Sequence, residues 1–150
     1  MNGLGLEELS ATTAQAANSL ELLPGQEEFE TPVTYVHADA SLDHTNTWSR
    51  VITDDGHVVG VIRAHFDSEH PEPALRCCIW RVSVAASAQG KGVGRFATEA
   101  ASEEARSRGF DTLTVVWSPG DQGPGEFFHH LGFVDQGVTE YGDQIGALGL

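Results

Sequence analysis

The segment Val82-Ser83-Val84-Ala85-Ala86-Ser87-Ala88-Gln89-Gly90-Lys91-Gly92-Val93-Gly94-Arg95 constrains this chain more than any other. A buried-strand pattern feeds a turn with glycine at every second position, and a helical pattern starts at once. Val93, Phe96, Ala97, Ala100, Ala101 and Ala105 recur at helical spacing, Glu103, Glu104, Arg106 and Arg108 mark the wet side, and Gly109 supplies a stop. Glycine admits positive φ and lets a backbone approach a ligand closely. The first N–H groups of a helix lack intrahelical partners, and the helix dipole favours an anion beside them. Strand, diphosphate cradle and helix are therefore predicted in that order. Lys91, the only lysine, sits inside the turn, and Arg95 lies one residue beyond it.

Two other readings of the turn remain. It can be a tight turn that holds nothing. It also satisfies G-x-G-x-x-A at Gly92-Val93-Gly94-Arg95-Phe96-Ala97, the pattern of a dinucleotide-binding turn. Against the latter, the strand comes late, and the about fifty residues beyond it are too few to finish a doubly wound sheet. A phosphate-loop signature is missing, because Gly92 rather than Ser or Thr follows Lys91.

Elsewhere strands and helices mix. Leu4, Leu6 and Leu9 suggest a first strand, and Ser10 or Thr12 can cap a helix through Ala14, Ala17, Leu20 and Leu23 that Pro24-Gly25 ends. Gln26 to Phe29 reads as a short helical piece. Arg50–Thr53 and His57–Phe66 flank Asp54-Asp55-Gly56, a hairpin signal. Leu75–Val84 and Asp111–Trp117 read as strands, 118–125 as irregular, Glu126–Leu131 as a short helix, and Phe133 onward as one or two strands. That order predicts an α/β or α+β sheet layered with helices in one domain over residues 1–150.

Composition narrows the partners. The formal charge is −14, from 22 acidic against 8 basic side chains, so nucleic acid is not expected and a cationic amine is attracted. No apolar run suggests a membrane span, and residues 1–6 lack a secretory pattern, so a cytoplasmic protein is expected. Cys77 and Cys78 are adjacent and face opposite sides of a strand, which suits neither a disulfide nor a shared metal. The seven histidines fall into no zinc-ligand spacing, and no metal is expected. Trp48, Trp80 and Trp117 are read as core or cleft-wall residues.

Gln89-Gly90-Lys91-Gly92-Val93-Gly94 resembles the Q/R-x-x-G-x-G/A motif of the GNAT superfamily of N-acetyltransferases. Phe127-Phe128-His129-His130-Leu131-Gly132-Phe133 is similar to that family's F-Y-x-x-L-G-F ending, and Val82-Ser83-Val84 to its central strand. Pro24-Gly25-Gln26-Glu27-Glu28-Phe29 and Cys78-Ile79-Trp80-Arg81 resemble the diamine/spermidine N-acetyltransferase-like branch. The resemblance implies a mixed, mostly antiparallel sheet of six to seven strands, helices on both faces, and a splayed central strand pair holding acetyl-CoA. It implies that the backbone of Val82, Ser83 and Val84 meets the pantetheine arm. Gln89, Gly90, Lys91, Gly92, Val93 and Gly94, with Arg95, then hold the pyrophosphate, and the loop around Asp121 to Gly123 stands where relatives carry a cofactor-contacting Asn.

The implied reaction is direct attack of a neutral primary amine on the thioester, the acceptor being a small molecule such as a polyamine or another cation. One proton must leave the ammonium and one must reach the departing thiolate. The family takes the second from the Tyr of its ending, but the matching residue here is Phe128. Tyr141 and His130 are alternative acids. Glu28 is a candidate base, and Glu27, Glu28, Glu30, Glu140 and Asp143 can form an anionic mouth. A second function class follows from Phe128: a catalytically weak acyl-CoA-binding sensor or partner module. Homodimers are common among similar proteins, so a homodimer is left open.

Overall fold

The computed structural model describes residues 3–18, 20, 46–120 and 124–150. Strand β1 (Leu4–Glu8) leads to helix α1 (Ala11–Asn18), then β2 (Thr47–Asp54), β3 (His57–Phe66), β4 (Cys77–Val84), α2 (Val93–Ser107), β5 (Thr112–Trp117), α3 (Gly125–His130), β6 (Val134–Val138) and β7 (Gln144–Gly149). They form one sheet of seven strands in the order β1-β2-β3-β4-β5-β7-β6, antiparallel except for the β4–β5 pair. The fold is the mixed, mostly antiparallel one the sequence implied.

Local chemistry explains the joints. Asp55 and Gly56 have φ of 50° and 86°, the double positive φ of the two-residue hairpin turn expected between β2 and β3. Ser10 stands at the N-cap of α1: its carbonyl takes Ala14 N–H at 2.8 Å, and its own N–H donates to Thr13 Oγ1 at 2.9 Å, one half of a capping box. Ser10 rather than Thr12 is therefore the cap. Strand β4 starts at Cys77, not at the expected Leu75, because Pro73–Leu75 forms a short 3-10 turn. The terminal segment makes two strands, with β7 inserted between β5 and β6.

Two cores sit on opposite sides of the sheet. On one, Val93, Ala97, Ala101 and Ala105 of α2 are buried at four-residue spacing against Ile52, Ile62, Ile79, Leu113 and Val115. Small alanines let the helix lie close to the strands. On the other, Ala17 of α1 meets Val51 and Val61, and Leu75, Cys78 and Val116 form a second patch flanked by Trp80 and Ile145. Cys77 and Cys78 lie on opposite sides, buried and unbridged.

Candidate active site

The sheet splits between β4 and β5, the one parallel joint among the described residues. Strands β4 and β5 pair at two positions, Cys78 with Thr114 and Ile79 with Val115. Beyond them β4 continues on β3 alone, and Val116 and Trp117 of β5 continue on β7 alone. Among the described residues, no strand therefore pairs with β4 on its β5 side from Trp80 to Val84. Main-chain groups alternate along a strand. Ala85 N–H donates to Val59 C=O across β3 at 2.9 Å, so Ser83 also faces β3, and Val82 and Val84 present their N–H and C=O to the gap. Of the three strand residues expected to meet the pantetheine arm, Val82 and Val84 have their backbone turned that way.

The turn after β4 brings main-chain donors to a helix start, an arrangement that suits an anion. A 3-10 turn at Ala86–Ala88 precedes Gln89, whose side-chain amide donates to Val84 C=O at 2.9 Å and ties the turn to the gap edge. Gly90 and Gly92 have φ of 77° and 82°, and a Cβ on either would meet nothing within 4 Å. Helix α2 starts at Gly92 with no side chain capping it, and its first internal bond runs from Phe96 N–H to Gly92 C=O at 3.0 Å. Among the described residues, the N–H groups of Gly90, Lys91, Gly92, Val93, Gly94 and Arg95 donate no well-formed backbone bond. Those donors are what a diphosphate needs. Lys91 and Arg95 are exposed, and Arg95 lies 3.9 Å from Glu99, a surface contact that a phosphate can readily replace.

The third glycine serves packing. A Cβ on Gly94 would stand 2.8 Å from Cζ of Phe127, so the aromatic ending on α3 seats directly on the start of α2. Its neighbour Phe128 is 4% exposed and packs against Trp117, tilted at 5.5 Å, and edge-on to Phe133 at 5.7 Å between ring centroids. The position that the resemblance assigns to a proton donor is a buried phenyl ring.

The other candidates scatter. Tyr141 lies in the β6–β7 turn rather than on a strand, is 40% exposed, and has its phenol pushed up by partial loss of solvent and by the charge and hydrogen bond of Glu140. His130 is exposed at the end of α3. Glu27, Glu28, Glu30, the Gln26–Phe29 helical piece and the Asp121 to Gly123 loop lie outside the described residues. Asp143 is not part of an exposed mouth. It is 2% exposed, accepts the Ser118 hydroxyl at 3.1 Å, and its N–H donates to Thr139 Oγ1 at 3.2 Å. Among the described residues, no three His, Cys, Asp or Glu side chains converge as a metal site, and no helix is long and apolar enough to cross a membrane.

Sequence reasoning missed a feature beside the gap. Between Arg63 and Ala64 the β3–β4 register slips: Arg63 opposes Arg81, and Ala64 opposes Ile79, so Trp80 is an extra residue. Charged residues inside the apolar runs of β3 and β4 were the available signal.

A sheet split beside a helix start with outward amides defines an α/β domain that can hold an extended, phosphate-bearing ligand. Residues 14–133 match the Acetyltransferase (GNAT) family, and the chain belongs to it. That family carries out acetyl transfer with acetyl-CoA as cosubstrate, and the open strand edge and amide cradle fit such a ligand. The fold is similar to the GNAT domain of S. lividans PAT, with a TM-score of 0.72 and 16% identity over 97% of this chain and 89% of that one. It is also similar to nourseothricin acetyltransferase, at 0.68 and 18% over 99% and 98%. The ribosomal-protein-S18-alanine N-acetyltransferase from Escherichia coli gives 0.63 and 18% over 97% and 93%. Among curated proteins none matches the sequence.

Proposed function

We propose that this chain is an N-acetyltransferase that delivers the acetyl group of acetyl-CoA directly to a primary amine. The observation that supports the reading is the parting of β4 from β5 after Ile79, followed by a helix start at which the N–H groups of residues 90–95 donate no backbone bond among the described residues. When bound, the thioester supplies an activated acyl group. The chain's part is to orient it: Val82 and Val84 offer main-chain partners along the gap, and residues 90–95 anchor the diphosphate. The ammonium first gives a proton to solvent; attack by the neutral amine then forms the new N–C bond and breaks the C–S bond, and the proton the nitrogen sheds reaches the departing thiolate through solvent. A thiol with a pKa near about 8.5 leaves without strong acid assistance, so Phe128 does not forbid turnover.

A polyamine acceptor rests on less. Its anionic mouth keeps exposed Glu140, whereas Asp143 is turned inward to Ser118. The diamine/spermidine branch adds only sequence likeness. A second reading, an acyl-CoA-binding sensor of weak activity, is favoured by the buried phenyl ring of Phe128. Incubation with acetyl-CoA and a broad amine panel separates the two. The enzyme releases free thiol with at least one amine, whereas the sensor binds coenzyme A and releases none.

A further inference from the structure

Strands β4 and β5 run parallel and part after Ile79 and Val115, so two backbone edges face each other across the gap. Val82 and Val84 turn their N–H and C=O groups toward it, and among the described residues no strand pairs with them there. Two such edges gain hydrogen bonds by closing on each other, because strand edges with unpaired main-chain groups seek partners. An open gap therefore needs something that keeps the end of β5 off β4.

The last residue of β5 is Trp117. Its indole leans away from β4, across Gly146 of β7, where a Cβ would stand 2.9 Å from Cζ3 and 3.2 Å from Cη2. At the other end of the ring lies Gly125 of α3, where a Cβ would stand 3.1 Å from Nε1. Neither glycine has a positive φ, so backbone freedom does not account for them, whereas room for the indole does. Phe128 packs on the same ring, tilted at 5.5 Å.

Ser118 follows at once and points to the other face of the sheet, where Val116 and Ile145 lie. Its hydroxyl donates to Asp143 Oδ1 at 3.1 Å, and buried Asp143 stands immediately before β7. The β6–β7 turn seats that carboxylate: Asp143 N–H donates to Thr139 Oγ1 at 3.2 Å, and Asp143 C=O accepts Thr139 N–H at 2.8 Å. A carboxylate taken out of water is costly to strip of a donor, so the contact is a firm one. Both contacts, one on each face, draw the end of β5 to the β7 side.

We infer that Trp117 and Ser118 are positioning residues that hold the end of β5 against β7 and so set the width of the gap before a ligand enters it. The inference rests on the acetyltransferase reading for the identity of that ligand as acetyl-CoA. The indole clasped by Gly125 and Gly146 pins one face, and the Ser118–Asp143 hydrogen bond pins the other. Loosening either pin lets parallel pairing run on past Val115 toward Val82 and Val84, which takes the main-chain partners from the pantetheine arm. A gap held ready spares the ligand the work of opening it.

The test joins calorimetric titration with coenzyme A to residue-resolved amide hydrogen exchange of the ligand-free protein. Gly146→Ala puts a methyl where the indole lies and drives the ring off β7. Its affinity for coenzyme A should fall by about fivefold to fiftyfold, the scale of a methyl forced into a packed site. Exchange at the Val82 and Val84 amides should slow by a similar factor, because closure hides the edge the ligand needs. Gly149→Ala adds a methyl to the same strand where nothing stands within 4 Å, and it should change neither reading. Ser118→Ala should weaken coenzyme A binding by about threefold to thirtyfold, whereas Ser118→Thr keeps the hydroxyl and should retain most of the affinity. This pair keeps the test decisive where Gly146→Ala does not fold. A merely structural role lowers the melting temperature and leaves affinity and exchange alone. Wild-type affinity in either folded Gly146→Ala or Ser118→Ala overturns the inference, as does Ser118→Thr behaving like Ser118→Ala. Lost affinity with unchanged exchange at Val82 and Val84, or an equal loss in Gly149→Ala, overturns it too. Failure of wild type to bind coenzyme A counts instead against the acetyltransferase reading, and exchange at Val82 and Val84 in the variants still decides the role of the two pins.

Discussion

Substitutions at two neighbouring glycines should separate ligand binding from packing. Gly92 has φ of 82°, and a Cβ there points into open space. An L-residue in that conformation costs about 1–2 kcal/mol, which in a chain of this size lowers the melting temperature by about 2–8 °C. Gly94 lies two residues on, but its Cβ would stand 2.8 Å from Cζ and 3.0 Å from Cε1 of Phe127. Overpacking of that kind costs about 1–3 kcal/mol, so Gly92→Trp and Gly94→Ala should weaken the fold to a similar degree. Their ligand behaviour should differ sharply. An indole at position 92 occupies the space the outward amides face and displaces two or more charge-assisted hydrogen bonds of about 1.5–3 kcal/mol each. Affinity for coenzyme A should drop by about a hundredfold to ten-thousandfold. Gly94→Ala directs its methyl at a ring and should lose far less. Calorimetry of both variants, beside thermal unfolding to establish folding, reads the contrast. Retention of wild-type affinity in folded Gly92→Trp would refute the cradle.

Four further outcomes are expected. Lys91→Gln should weaken coenzyme A binding by a few-fold at low salt and by less at physiological salt, since an exposed charge is screened over about 8–10 Å; titrations at two ionic strengths check it. Phe128→Tyr should leave turnover in the thiol-release assay unchanged while costing about 1–3 kcal/mol for a hydroxyl set into an aromatic stack; a large gain in activity would favour the sensor reading instead. Burial, helped by neighbouring Cys78, pushes the Cys77 thiol up from 9.0 to about 12. Because the folded value is the higher one, its contribution to stability is complete below the unfolded pKa and is lost as pH rises from there towards the folded value, so urea midpoints should fall between about pH 8 and about pH 10.5. Ser118→Ala leaves buried Asp143 short of a donor and should cost about 1–3 kcal/mol by urea unfolding.

The parts of this fold set by local chemistry were readable in the chain. Asp55-Gly56 demands a turn with two positive φ values, and the four-residue recurrence from Val93 to Ala105 demands a helix with one dry face. The cradle was readable for the same reason, since the glycines act within their own turn. Pairings between distant segments were not. Nothing in Gln144–Gly149 announces that it slides between β5 and β6. The burial of Asp143 follows from that placement, because its Ser118 partner stands just beyond the end of β5. Position 128 was readable as an exception to the family's pattern, but its stacking on Trp117 and Phe133 needed the packed structure.

The bulge at Trp80 is the extreme case. A one-residue insertion into a strand changes no hydrophobic period strongly enough to show in eight residues, yet it decides which face every later side chain takes. Without it, Arg81 and Val82 would exchange faces. Val82 would then leave the core it flanks beside α2, and Arg81 would enter it. The slip keeps the apolar residues on the helix side and turns the guanidinium toward Arg63. It also falls where β4 parts from β5, so one irregularity both aims the charged pair and accompanies the opening of the gap. Local sequence rules specify the glycine turn at the start of α2, whereas the register of β4 beyond Ile79 is set by its pairing with a distant segment.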